Sequence, residues 1–344
     1  MKTLRVSEPT FSVSTQHALR LRSRRGFTIP ELLVTVAVIA VLVSLLLPAV
    51  QSAREASRRT SCISRLAQIG KAIHAFESSH NRLPLTVERS DTQSSGHVEL
   101  LPFLEQSALQ AQLLGSDERF EVRIYEKVLT QRTLISQRLP IFVCPSDSGD
   151  GRNNFAYCHG WGFGAIRQTA AFSNSNRSAG LSDVTDGLSN TAAVSERLSG
   201  SGFLRAFDRR RDTYFSGLDR IMSTSEITPS ILSSACDVTD PPSGSFTSFD
   251  FHTWAYTSFE NSWYNHVMTP NSILPNCATH SPDVIDSKWS FLARAGTFRS
   301  TSLHTGSVNT LFLDGSVRTI SDAIDVAVWR AVGTRSGGET VGDL

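Results

Sequence analysis

The longest apolar stretch of the chain lies near its N-terminus. Residues 32–47 read LLVTVAVIAVLVSLLL without a charge, and the wider segment 27–50 holds one charged residue, Glu31. A helix of roughly 20 apolar residues crosses the hydrocarbon core of a bilayer. A helix of a soluble protein would show a polar face, which this stretch lacks. The pattern therefore predicts a membrane-spanning helix over residues 27–50.

The helical pattern continues beyond the predicted span. Apolar residues recur three or four positions apart at Ile63, Leu66, Ile69, Ile73 and Phe76. Pro48 predicts a kink, and the run that closes with Pro84 predicts the end of the helix. Residues 51–82 would form the exported half of one long helix, with its apolar stripe packed on a sheet. The alternative is a helix lying on the membrane surface.

Three patterns within residues 83–344 predict the elements of a globular exported domain. Residues 99–114 predict one more helix, and residues 139–145 a short buried strand. Residues 199–300 alternate short aromatic and β-branched runs with turn residues, which predicts strands and loops with little helix. With the long helix, these patterns indicate an α+β fold with an antiparallel sheet and a β-rich insertion at about 199–300.

The C-terminal region carries a hairpin signal. Asp314 and Gly315 separate two apolar and β-branched runs, 308–313 and 316–320. Asp-Gly between such runs is typical of a two-residue type I′ turn, in which both residues adopt positive φ. We therefore expect a hairpin with these two residues at its tip. An amphipathic helix is expected to follow over residues 322–332.

The formal net charge of +1 combines a basic N-terminus with a mildly acidic remainder. Residues 1–26 carry six Lys or Arg against one Glu, so the rest of the chain has a net charge of −4. A mildly acidic body gives no electrostatic footprint for nucleic acid, so no nucleic-acid partner is predicted. Basic residues beside an apolar segment bear on membrane topology instead.

The basic and apolar segments allow three interpretations. An ordinary secretory signal peptide has a shorter apolar stretch and then a small-x-small cleavage site. Residues 48–54 read PAVQSAR and contain no clean site of that kind. The second interpretation is an uncleaved signal anchor. The third is a prepilin leader, which is cleaved before the apolar stretch rather than after it.

Residues 24–34 read RRGFTIPELLV and resemble the leader junction of type IV prepilins and type II secretion pseudopilins. The resemblance implies that residues 1–26 are a leader, that a prepilin peptidase cleaves after Gly26, and that Phe27 is N-methylated. It also implies an assembly role for Glu31, whose carboxylate would pair with the new amine of Phe27 within one subunit or between neighbours. A second interpretation of Glu31 is a capping box with Thr28.

Other stretches resemble a family of prepilin-type proteins whose large C-terminal domain carries a histidine, nine residues, and then Asp-Gly. In this sequence these residues are His304, Asp314 and Gly315. Further matching stretches are residues 58–84, 142–147, 183–197 and 270–277. The resemblance implies a pilin-like fold and a single-pass inner-membrane protein whose C-terminal domain is exported to the periplasm or cell surface.

Five cysteines are widely spaced, with no CxxC pair and no Cys/His spacing typical of zinc. In an exported chain, such spacing favours disulfides. We predict that Cys236 pairs with Cys277, because both lie in the β-rich part of the exported domain. A second pair, Cys62 with Cys144, would leave Cys158 free.

Several polar clusters allow a chemical or a structural interpretation. His304 and Asp314 could be a catalytic pair or metal ligands, but no nucleophile motif accompanies them, and a structural role is favoured. Two polar turns could bind calcium but lack EF-hand spacing, which favours solvated turns. Their residues are Asp147, Asp150, Asn153, Asp183, Asp186, Ser189 and Asn190. The aromatic residues of 250–264 could stack on sugars, although such residues more often fill a sheet core.

The sequence thus predicts a non-enzymatic pseudopilin or pilin-like subunit of a type II secretion or type IV pilus-like system. No catalytic residue, cofactor or metal site is predicted, and a surface hydrolase is disfavoured because no hydrolase motif is present. The expected partners are the prepilin peptidase, other pilin-like subunits and the inner membrane. The alternative is a surface-anchored exported domain that does not polymerise and binds a ligand or wall polymer.

Overall fold

The computed structural model describes residues 28–84, 94–114, 134–149, 151–161, 170–172, 179–202, 206–215, 235–242, 246–247, 253–257, 261–278, 296–339 and 342. The helices are α1 (Ile29–His80), α2 (Gly96–Leu100), α3 (Ser107–Leu114) and α4 (Val326–Ala331). Short 3₁₀ helices lie at Leu101–Leu104, Pro140–Phe142, Leu181–Asp183 and Leu188–Asn190. The strands are β1 (Phe155–Cys158), β2 (Ala192–Glu196), β3 (Thr213–Phe215), β4 (Phe246–Thr247), β5 (Trp263–Tyr264), β6 (Asn276–Ala278), β7 (Gly296–Thr297), β8 (Ser307–Phe312) and β9 (Val317–Ser321).

The chain divides into two compact units, residues 1–52 and residues 53–344. In the first unit, the described residues are the start of α1, which continues without interruption through Pro48. The large apolar side chains of this segment, among them Leu45 and Leu47, are exposed. Of the helices that the structure describes, α1 alone has the length and apolar composition to cross a membrane.

In the second unit, one stripe of α1 packs into the main hydrophobic core. Leu66, Ile69, Ile73 and Phe76 are buried as the periodicity predicts. Ile63, which the same periodicity includes, is only half-buried, and its neighbour Cys62 occupies the buried position instead. The membrane-surface alternative for this half of the helix is therefore wrong, because the stripe packs on protein.

A five-stranded sheet forms the centre of this unit, in the order β5–β1–β2–β8–β9. The β1–β2, β2–β8 and β8–β9 pairs are antiparallel, whereas β1 and β5 are parallel. The sheet is thus mixed but mainly antiparallel, and the predicted α+β class is confirmed. A second sheet, in the order β4–β3–β6–β7, lies in the segment predicted as a β-rich insertion.

Both faces of the larger sheet are covered. Tyr157, Val194 and Leu311 belong to the same hydrophobic cluster as the α1 stripe. Alternate residues of the same strands cluster with Trp329 of α4 on the opposite face. A Cβ added to Gly70 would lie 2.8 Å from Leu311 Cδ1. Glycine at this position therefore permits the close approach of α1 to the sheet.

Three predicted elements differ from the structure. The helix predicted over 99–114 is broken, because a 3₁₀ turn that contains Pro102 starts at Leu101 and Glu105 adopts positive φ before α3. The strand predicted over 139–145 is instead a 3₁₀ turn that begins at Pro140, whose missing N–H cannot join a sheet ladder. The last helix is shorter than predicted, because Asp325 caps it and α4 starts at residue 326.

Candidate functional site

The first region that the sequence singled out is the start of α1. Gly26 and Phe27 lie outside the described residues. Glu31 Oε2 accepts hydrogen bonds from the Thr28 amide at 2.9 Å and from Thr28 Oγ1 at 2.8 Å. The hydrogen bond from the Thr28 amide is one half of a capping box and satisfies a backbone donor at the start of the helix. Capping and assembly are compatible roles, since only Oε2 takes part in these two bonds.

The second region is a buried polar cluster around His304. His304 Nδ1 lies 2.6 Å from Glu55 Oε1 on α1, and Nε2 lies 3.4 Å from Glu196 Oε1 at the end of β2. Nε2 also lies 3.7 Å from Cys144 Sγ. The histidine side chain is 1% exposed. The cluster thus joins the second half of α1 to the C-terminal end of β2 and to the loop that precedes β8.

The electrostatics of the cluster favour a charged imidazole. Burial disfavours the cation, but the hydrogen bonds and negative charges of Glu196 and Glu55 outweigh burial and raise the His304 pKa above its ordinary value. Burial raises the pKa of Glu55. The hydrogen bonds and positive charges of His304 and Arg58 outweigh burial and hold this pKa below its ordinary value. The three groups are therefore coupled through short contacts rather than through solvent.

A disulfide in the structure places sulfur beside this cluster. Cys62 of α1 is bonded to Cys144, 82 residues along the chain. Arg65, one turn further along α1, donates to the Val143 carbonyl oxygen. The Ser146 hydroxyl donates to Glu55 Oε1 at 3.2 Å. The loop after the Pro140 turn is thus fixed to α1 by a covalent bond and by polar contacts.

Sequence reasoning found His304 and the cysteines of this cluster but missed Glu55 and Glu196. Each carries a signal that is visible in retrospect. Glu55 lies seven residues before Cys62, on the same face of α1 as the buried stripe. Glu196 lies two residues after the buried Val194, on the same face of β2. An acidic residue that continues an apolar face is a candidate for a buried pair.

Asp314 does not contact His304 in any described interaction. Its Oδ1 accepts hydrogen bonds from the Ser316 amide at 2.8 Å and the Ser316 hydroxyl at 2.6 Å. Gly315 N donates to Phe312 O, and Phe312 N donates to Ser316 O. Gly315 has φ +87°, whereas Asp314 is not among the residues of positive φ. The predicted type I′ turn is therefore wrong, and the hairpin has a three-residue loop with Gly315 in the left-handed position.

The two polar turns use carboxylate oxygens to bind main-chain amides. Asp147 is 5% exposed, so the expectation of a solvated turn is wrong at this residue. Asp186 accepts from the amides of Gly337 and Gly338 at 2.7 and 2.9 Å. Asp183 accepts from the Gly180 amide at 3.0 Å. Asp150 lies outside the described residues. Oxygen atoms occupied in this way are poorly placed to ligate calcium.

The aromatic segment 250–264 contributes to the core where it is described. Trp254 and Tyr264 are fully buried, and Trp263 is 6% exposed. Trp254 Nε1 donates to the Gln137 carbonyl oxygen at 2.9 Å. These side chains therefore offer no exposed face for stacking on a sugar. Phe251, in the same stretch, lies outside the described residues.

The remaining cysteines are buried. Cys236 is bonded in the structure to Cys277, which lies in β6 of the smaller sheet. Cys158 at the end of β1 is free, and burial raises the pKa of its thiol to about 12. A buried thiol with so high a pKa is unreactive at neutral pH.

The apolar first part of α1, the Thr28–Glu31 cap and the covered sheet define a membrane-anchored α+β protein of the prepilin type. Residues 21–47 match the model of the prokaryotic N-terminal methylation motif. Residues 51–327 match the family model described as a protein of unknown function (DUF1559), and the chain belongs to that family. Comparison with curated proteins and with solved structures gave no match.

Proposed function

We propose that the chain is a pilin-like structural subunit of the inner membrane, cleaved after Gly26 and N-methylated at Phe27. It would enter a filament of a type II secretion or type IV pilus-like system. The observation that supports this proposal best is the methylation motif at residues 21–47, directly at the start of the exposed apolar part of α1. A leader cleaved there leaves the whole apolar helix on the mature chain, as a helical filament core requires.

The position of Glu31 supports assembly through the N-terminal helix. It is the one carboxylate in residues 27–50, and a charge inside a membrane is unfavourable unless it is paired or neutralised. Cleavage after Gly26 creates an amine at Phe27, four residues before Glu31. N-methylation keeps the positive charge of that amine. An ion pair between this amine and Glu31 of a neighbouring subunit would favour the assembled state.

The test compares Glu31→Gln with Thr28→Ala in the native host. Glu31→Gln removes the charge but retains an oxygen that accepts the cap hydrogen bond. Thr28→Ala removes the hydroxyl donor but retains the charge. We expect both variants to insert and to be cleaved, because neither adds a charge to the helix. Chemical cross-linking should give ladders of multimers from the parent and from Thr28→Ala, but not from Glu31→Gln.

Two results would contradict the proposal. An intact leader, or a mature N-terminus after the apolar segment, would exclude prepilin processing. Cleavage and methylation without cross-linked multimers in the parent would instead favour the surface-anchored domain that does not polymerise. Equal ladders from Glu31→Gln and the parent would reduce Glu31 to a helix cap.

A further inference from the structure

The cluster around His304 also has the composition of a zinc site. Cys62, Cys144, Glu196 and His304 are all buried, and one ligand atom from each lies within 4.8 Å of the others. Two thiolates, an imidazole nitrogen and a carboxylate oxygen are a ligand set that Zn²⁺ binds. Sequence spacing could not reveal this set, because its members are spread from residue 62 to residue 304.

Two distances from His304 Nε2 match the edges expected around a tetrahedral ion. Zinc bonds of about 2.3 Å to sulfur and about 2.0–2.2 Å to nitrogen and oxygen give tetrahedral edges of about 3.6 Å for N–S and about 3.4 Å for N–O. The observed distances from His304 Nε2 are 3.7 Å to Cys144 Sγ and 3.4 Å to Glu196 Oε1. The sulfur–sulfur edge would be about 3.8 Å, so the Cys62–Cys144 disulfide must be reduced before an ion can bind.

Neighbouring groups hold two of the ligands in position. The Glu55 carboxylate at His304 Nδ1 favours a proton on that nitrogen, so Nε2 is the ring atom that would bind the ion once its own proton is displaced. Asn309 donates to both oxygens of Glu196, from its amide nitrogen and from Nδ2, each at 2.9 Å. A carboxylate behind a ligating histidine is a common second partner in zinc proteins. Binding of an ion thus requires reduction of the two sulfurs and loss of the Nε2 proton of His304.

We propose that Cys62, Cys144, Glu196 and His304 bind one Zn²⁺ when the Cys62–Cys144 disulfide is reduced, so that the zinc-bound and disulfide forms are alternative states of one site. A dithiol reductant supplies the two electrons, giving two protein thiols and its own disulfide. Zinc then displaces the two thiol protons and the Nε2 proton of His304, and it binds two thiolates, the neutral imidazole and the carboxylate of Glu196. A disulfide oxidant that accepts the two electrons, and is itself reduced to two thiols, would re-form the Cys62–Cys144 disulfide and release the ion.

The test uses the full-length chain in detergent. The chain is reduced with a dithiol, and the dithiol is then removed under oxygen-free conditions. We expect about one equivalent of zinc in the reduced chain and none in the oxidised chain, measured by elemental analysis. Cobalt(II) added instead of zinc should give thiolate-to-metal charge-transfer absorption. Glu55→Gln should lower the affinity about 10–100-fold, as loss of such a second partner does.

The second disulfide provides the matched control. A Cys236→Ser/Cys277→Ser variant should bind zinc like the parent, whereas a Cys62→Ser/Cys144→Ser variant should lose the ion and the charge-transfer band. Far-UV circular dichroism would show whether each variant folds. If the Cys62→Ser/Cys144→Ser variant does not fold, zinc and cobalt binding by the reduced Cys236→Ser/Cys277→Ser variant still tests the proposal. Absence of the cobalt band from that variant, or binding that requires Cys236 and Cys277, would overturn the proposal.

Discussion

The substitution Asp147→Asn tests whether a buried ion pair fixes the loop after the Pro140 turn. The Asp147 side chain is 2% exposed, and its Oδ1 lies 2.6 Å from Arg211 Nη1. Oδ1 also accepts from the Gly149 amide, and Oδ2 accepts from the amide and hydroxyl of Ser199 and from Asn154 Nδ2. Every one of these partners is a donor. An Asn amide group would therefore face donors in either orientation and would leave Arg211 without this counter-charge.

The expected cost follows from burial. Removing one partner of a buried ion pair costs about 3–5 kcal/mol when the other charge stays buried without compensation. Asp208 Oδ2 lies 3.6 Å from Arg211 Nε and compensates part of that charge, so we expect a loss near the lower end of this range. The matched control is Asp237→Asn. Asp237 Oδ1 also lies 2.6 Å from an arginine, Arg209, but the Asp237 side chain is 55% exposed. An exposed pair contributes about 1 kcal/mol or less. Because the two ion pairs have the same N–O distance and differ in burial, the comparison isolates the effect of burial on stability.

The assay is urea unfolding of the full-length chain in detergent with both disulfides intact, followed by tryptophan fluorescence. Burial alone would raise the Asp147 pKa, but the charge of Arg211 and the amides of Ser199 and Gly149 hold it below its ordinary value of 3.8. As the pH falls below that value, the unfolded chain binds the proton first, and the stabilisation by Asp147 is lost. The parent should therefore lose free energy of unfolding in this range, and its advantage over Asp147→Asn should shrink. Similar losses in Asp147→Asn and Asp237→Asn, or a difference that does not change with pH, would refute the reasoning.

Two further predictions concern the hairpin and the cysteines. Gly315→Val should lower the free energy of unfolding by about 1–2 kcal/mol or more, since left-handed φ is unfavourable for residues with a Cβ. Asp314→Asn should have little effect, because one amide oxygen can accept both turn hydrogen bonds; a large loss on Asp314→Asn would contradict this. Peptide maps without reductant should contain the Cys236–Cys277 peptide. Cys158 should be alkylated only after unfolding. Labelling of Cys158 in the folded chain would contradict its burial and show that its thiol is accessible to solvent.

Local patterns predicted the parts of the fold that local energetics determine. The apolar period of α1 found the buried face to within one residue, because burial of one face is what stabilises such a helix. The Asp-Gly signal found the hairpin of β8 and β9 but gave the wrong turn type. That choice depends on whether Leu313 joins Asp314 and Gly315 in the loop, and the Leu313 amide donates to Thr191 O, in a distant part of the chain. A contact 122 residues away is not visible in a four-residue pattern.

The candidate site was harder to predict, because it is assembled from distant segments. Glu55, Glu196 and His304 lie on a helix, a strand and a loop, and no short motif contains two of them. The parallel pairing of β1 with β5 also depends on a long connection, from residue 158 to residue 263. The two cysteine pairs of the structure were expected from residue type and compartment rather than from local pattern, and they stay predictions for the peptide maps.

The acidic residues of the exported domain explain how short strands can form a stable sheet. The described strands have two to six residues, so their ladders contribute few hydrogen bonds. Asp147, Asp186 and Glu196 compensate by accepting main-chain amides from distant segments: Ser199, Gly337 with Gly338, and Asn309. Hydrogen bonds to charged groups contribute about 1.5–3 kcal/mol each, more than neutral ones. Clusters that look like ligands or catalytic acids in the sequence therefore act mainly as links between loops and strands. Glu196 differs from the two aspartates, because its Oε1 also lies 3.4 Å from Nε2 of His304.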